Sequence, residues 1–164
     1  MAKSIHVSEA TANQNLRDVI TKLQINACDM VLNTAGLAIK AGSSALAKSV
    51  NTIIAMIDGV LVSKAAADMP ALVGTIAASK YGLFVFSMNA SGTLTTTPGT
   101  LTAAARANLV FPIVPANEVV VGFIIVQNGS ASAFTGGTTA LDATDITTTY
   151  VNTPFPFNPN ALSL

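Results

Sequence analysis

The sequence has few of the residues from which active sites, disulfides and metal centres are usually built. It has no tryptophan, one cysteine and one histidine in 164 residues. Cys28 alone cannot form an intrachain disulfide, which fits a reducing compartment. His6 and Cys28 together cannot supply the four ligands of a zinc site, and any Ser–His or Cys–His nucleophile would depend on His6. We therefore expect no catalytic residue, no metal and no cofactor, and interpret the chain as non-enzymatic.

Charge is also scarce. Lys and Arg number 8, Asp and Glu number 8, and charged residues make up 10% of the chain, against roughly 25% in typical soluble domains. Hydrophobic residues reach 51%, and the mean hydropathy is +0.57. A free monomer with so little charge would dissolve poorly, so we expect a protein interface to cover much of the surface. The lack of a basic run argues against nucleic-acid binding.

Long apolar runs are missing too. The densest run, residues 119–126, has the length of a strand, whereas a membrane-spanning helix needs about 20 apolar residues. The N-terminus lacks the apolar core of a signal peptide. We therefore expect synthesis in a cytoplasm and no membrane partner. Asp142 and Asp145 offer oxygens to calcium, but their spacing lacks the acidic density of a calcium loop, and a solvated turn is the better interpretation.

An apolar stripe marks the N-terminal part. Thr11 to Gln14 matches a capping box, Asn33 and Gly36 supply a stop, and the spacing between them predicts a helix from about 10 to 32. The helix can pack against its own copies or lie on its own domain, and the sequence leaves both open. The apolar residues recur at steps of three and four: Leu16, Val19, Ile20, Leu23, Ala27, Met30 and Val31.

From Gly36 onward the helical period disappears and short β-like runs alternate with turns. Asp58-Gly59 between two apolar runs predicts a tight hairpin. Residues 81–88, 93–97 and 146–151 read as strands, and residues 119–127 as a central strand. Residues 100–108 suggest a short helix, and Pro112 and Pro115 place the following segment in a loop or at an edge.

The C-terminal end, residues 153–164, has three prolines and no charge. Proline excludes a helix or a sheet interior, so we expect an extended arm whose apolar side chains insert into a neighbour. The candidate interface residues, from the stripe and from this arm, are Leu16, Val19, Leu23, Met30, Phe155, Phe157, Leu162 and Leu164.

These patterns predict a mainly β protein. We expect an N-terminal arm and helix over 1–35, a β-sandwich or jelly-roll-like domain over 36–152, and an extended Pro/Phe-rich arm over 153–164.

Roughly residues 35–152 resemble a group of tailed-phage structural proteins: head decoration (cement) proteins, head fibres and tail-fibre segments. The resemblance implies a virion location and trimers. Its motifs are strands and turns, so no site residue is carried over. It rests on Ile57-Asp58-Gly59-Val60, Lys64-Ala65-Ala66-Ala67-Asp68, Asn89-Ala90-Ser91-Gly92-Thr93-Leu94, Val114-Pro115-Ala116, the run from Val121 to Ser130 and the run from Phe134 to Ala143.

We therefore expect a capsid decoration protein that binds the outside of the head as an oligomer, with a trimer favoured, and stabilises contacts between capsomers. Its partner would be the major capsid protein or another virion protein. The alternative is a head-fibre, tail-fibre or adaptor protein. A carbohydrate-binding surface module or a surface hydrolase is a weaker alternative, because clustered carboxylates and tryptophan are lacking.

Overall fold

A computed structural model describes residues 29–154 of the chain. The described part is mainly β, as the sequence predicts, and its helical content is one 3₁₀ turn at Arg106–Asn108. The eleven strands are β1 Met30–Val31, β2 Leu37–Ile39, β3 Ala47–Ser49, β4 Ile53–Ile57, β5 Val60–Lys64, β6 Thr75–Ile76, β7 Lys80–Asn89, β8 Leu94–Pro98, β9 Glu118–Asn128, β10 Phe134–Thr135 and β11 Ile146–Asn152.

All strand pairs are antiparallel and form four sheets. The large sheet has the order β11-β9-β7-β8, and the small sheet has the order β1-β4-β5. Two-stranded sheets join β2 to β3 and β10 to β6. The strand predicted over residues 119–127 is β9, and its interior position in the large sheet confirms the central place expected from its apolar composition.

In the large sheet, the central strands β7 and β9 are buried on both faces, whereas the edge strands β8 and β11 are mostly half-buried. On one face, Phe84, Phe86 and Ile124 join the main core, which also contains Ile53 and Ile57 of the small sheet. The opposite face has a second core, which includes Leu83, Val85, Phe123 and Ile125 of the sheet together with Ala103, Leu109 and Phe111 of the segment after β8. The continuous apolar run of β9 therefore reflects burial from two sides.

The hairpin of β4 and β5 turns at Asp58-Gly59. Asp58 has φ of 51° and Gly59 has φ of 74°, the two positive values that a type I′ turn requires. The register Ile57↔Val60 places only these two residues between the strands. The hairpin prediction is confirmed.

The predicted N-terminal helix is wrong at its end and lies outside the described residues elsewhere. Met30 and Val31 form β1 and pair with Met56 and Ala55. Side-chain bonds on both sides hold this short strand: the Asp29 carboxylate accepts the Asp58 N–H, and the Asn33 amide bonds to two backbone groups at the start of the neighbouring strand. These long-range bonds explain why the strand forms where the local spacing favoured a helix.

Thr153, assigned by sequence to the C-terminal arm, is tied to the domain. Its hydroxyl donates to the Val120 carbonyl at 2.8 Å, and its side chain is buried. Residues 155–164, the remainder of the predicted arm, lie outside the described part of the chain.

Candidate interaction surface

Acidic side chains of the described part hold turns, form a surface ion pair or, at Glu118, accept the buried Ser87 hydroxyl in the large sheet. Between residues 29 and 154 there is no group of three or more His, Cys, Asp or Glu side chains placed to hold a metal ion. Both oxygens of Asp142 accept the Ser43 N–H, at 3.0 and 2.9 Å. Asp68 pairs with Lys40 at the surface. Asp142 thus fixes the turn that precedes β3. Residues 141–145 themselves form turns and a bend, as the turn interpretation of Asp142 and Asp145 predicts.

The Tyr150 hydroxyl is the described group with the clearest change in acidity. Burial raises the pKa of Tyr150 to about 12, and the Asp142 carboxylate adds to the rise. Both effects disfavour the phenolate, so Tyr150 stays a neutral hydroxyl at physiological pH and offers no base.

The two most exposed large apolar side chains of the described part lie in residues 109–115. We call this segment, which follows the 3₁₀ turn, the apolar loop. Leu109 and Phe111 of this loop are buried against the large sheet. The ring of Phe111 meets that of Phe123 edge to face, with 4.9 Å between centroids, a favoured aromatic geometry. The loop is therefore packed onto the sheet by alternate side chains.

Backbone bonds also fix the apolar loop. Thr100 donates its N–H to the Val110 carbonyl at 3.1 Å, and the Val110 N–H donates to the Thr100 hydroxyl at 3.1 Å. Gly99 makes this approach possible, since a Cβ there would lie 2.5 Å from the Val110 oxygen. The predicted helix over residues 100–108 is wrong except for its last three residues, a 3₁₀ turn, because this segment follows the sheet edge instead.

Two side chains of the apolar loop project into solvent. Val110 is 66% exposed and Ile113 is 90% exposed. No charged residue lies between Arg106 and Glu118, and Pro112 and Pro115 fix φ on either side of Ile113. Fully burying one such side chain contributes roughly 1.5–3 kcal/mol. The loop thus presents large apolar groups on a backbone that is already ordered.

A second apolar surface covers the side of the small sheet that faces away from the core, which we call the outer face. Side chains alternate along a strand, so Ile53, Ala55 and Ile57 enter the core while Ile54 and Met56 point outward. Pairing places Met30, Met56 and Leu61 in one row. The next row holds Leu32, Ile54 and Ser63.

Of the eight candidate interface residues, Met30 is placed by the structure, half-buried on the outer face. The other seven lie outside residues 29–154. Sequence reasoning missed Val110, Ile113 and Leu61 as exposed apolar residues. The signal that could have found the first two is the uncharged, proline-flanked segment itself. Exposure at Leu61 follows only from strand register.

No protein-family model matches the chain, and comparisons with curated proteins and with solved structures found no match. The described residues, 29–154, contain no helix that could span a membrane.

Proposed function

We propose that this chain is a structural protein of a tailed-phage virion. It decorates the outside of the head as an oligomer, with a trimer favoured, and stabilises contacts between capsomers. The observation that carries the proposal is the apolar loop, a fixed and uncharged segment that exposes Ile113 almost completely. The resemblance of residues 35–152 to phage structural proteins supplies the virion context.

Preorganisation is the physical reason for assigning assembly to this loop. A flexible segment loses conformational entropy when it binds, and that loss subtracts from affinity. Here the Phe111–Phe123 contact and the Thr100–Val110 bonds already order the backbone. Most of the apolar area that Ile113 and Val110 bury on a partner therefore contributes to binding. Several weak copies held in one oligomer then bind far more tightly than one copy does.

The finer architecture belongs to the same proposal. The small sheet and one face of the large sheet contribute to the main core, which supports a β-sandwich of the jelly-roll-like kind. We further propose that Phe155 and Phe157, two and four residues after the anchored Thr153, add a second apolar contact on a neighbouring subunit.

The test measures binding to phage heads that lack the protein. Purified Ile113→Asp should bind such heads at least about tenfold more weakly than the wild-type chain, because an unpaired carboxylate enters the interface. Val50→Asp is the matched control, since Val50 is also a large exposed aliphatic residue, 56% accessible, but lies outside the apolar loop. Equal binding of both variants, or binding of the wild type to tails and not to heads, would contradict the proposal.

A further inference from the structure

The outer face of the small sheet offers a docking surface that the described residues leave open. Leu61 is 61% exposed and Leu32 is 42% exposed, while Met30, Ile54 and Met56 are half-buried. Five of the six side chains in its two rows are apolar, and Ser63 is the sixth. Such a face favours an apolar partner without charge.

The chain itself reaches this face at a fixed point. Asp29 accepts the Asp58 N–H at 2.7 Å, which holds it at the turn end of the β4–β5 hairpin. Met30, the next residue, already belongs to the outer face. Residues 1–28 therefore join the domain at one edge of the open surface.

The sequence before Asp29 carries a matching stripe: Leu16, Val19, Ile20, Leu23 and Ala27. As the helix that this spacing predicts, residues 16–27 would span about 18 Å at 1.5 Å per residue. A five-residue strand such as β4 spans about 16 Å at roughly 3.3 Å per residue. On such a helix, Arg17, Asp18 and Lys22 fall outside the stripe and keep to solvent.

We infer that the stripe of residues 16–27 docks on the outer face of its own chain. Only Cys28 and Asp29 separate Ala27 from Met30. This short connection favours docking within the same chain over docking on a second copy, because connections of two residues commonly reverse a chain between neighbouring elements. With the helix running back over the outer face from this connection, Leu23 lies near the row of Leu61 and Leu16 near the row of Leu32. The inference is independent of the proposed virion function.

The experiment is cysteine crosslinking in the full-length protein with Cys28→Ala as background. Two double variants, Leu23→Cys with Leu61→Cys and Leu16→Cys with Leu32→Cys, are treated with a short bismaleimide. Digestion and mass spectrometry then locate the links. The control pairs Leu23→Cys with Ile113→Cys, because the apolar loop lies beyond the opposite face of the large sheet.

Both test pairs should give links within one chain, at yields about tenfold or more above the control, since docking raises the local concentration of the two thiols. Mixing labelled and unlabelled copies separates links within a chain from links between chains. Links formed mainly between chains would assign the face to a second copy and overturn the inference. Crosslink yields equal to the control in both pairs would overturn the inference as well. Two independent pairs are used so that misfolding of one double variant does not decide the result.

Discussion

At the scale of single residues, Gly59 and Gly42 differ in backbone and not in surroundings. A Cβ at either position would meet no atom within 4 Å, but Gly59 has φ of +74° whereas Gly42 lies outside the left-handed region. A β-branched residue is strained at positive φ. We expect Gly59→Val to lower the free energy of unfolding by about 1–3 kcal/mol, measured by denaturant titration.

Gly42→Val is the control for that experiment and should change the unfolding free energy far less. If both variants unfold at the same denaturant concentration as the wild type, the type I′ turn contributes nothing specific to stability.

The raised pKa of Tyr150 predicts that the folded state loses stability in alkaline solution. The pKa of its hydroxyl is about 12 in the folded chain against 10.0 ordinarily, so the folded state holds the proton more tightly than the unfolded state. The stabilisation is complete below pH 10 and is lost as the pH rises through about 12. Thermal unfolding across this range should show a steeper decline for the wild type than for Tyr150→Phe. Parallel declines would argue against burial as the cause.

At the scale of elements, the apolar loop depends on the close approach of two backbone segments. In Gly99→Ala the new Cβ would lie 2.5 Å from the Val110 oxygen, and one segment must move. We expect a loss of about 1–3 kcal/mol of stability and faster amide hydrogen exchange at Thr100 and Val110, with Gly42→Ala as control. Unchanged exchange at both amides would show that the loop is held by other contacts.

Elements with strong local signals were predictable. Asp58-Gly59 predicted its hairpin because positive φ at two adjacent positions depends on those residues themselves. The apolar run of β9 predicted a central strand because burial on both faces leaves no alternation. Such signals need no knowledge of distant parts of the chain.

Elements set by distant partners were not predictable. Met30 and Val31 fit both a helical stripe and a strand, and the bonds from Asn33 to Thr52 and Ile54 favour the strand. The two prolines predicted a loop near residue 113, as observed, but the exposure of Ile113 follows from how Phe111 packs on the sheet. The uncharged, proline-containing loop could thus be predicted from composition, whereas its fixed packing on the sheet could not.

At the scale of the whole molecule, low charge and exposed apolar loops predict self-association. With 10% charged residues and no net charge, the monomer has little electrostatic repulsion to keep copies apart. We expect the full-length chain to form a homo-oligomer with the mass of a trimer at micromolar concentration, measured by light scattering under native conditions. A stable monomer in the absence of any partner would contradict this expectation.

The central claim, that the protein decorates the phage head, is tested most directly by electron cryomicroscopy of the source virion with and without this protein. We expect the difference map to show density on the outside of the head, bridging neighbouring capsomers, with the loop that carries Ile113 against the shell and the density repeated in threes. Difference density confined to the tail, or heads identical in the two particles, would contradict the claim.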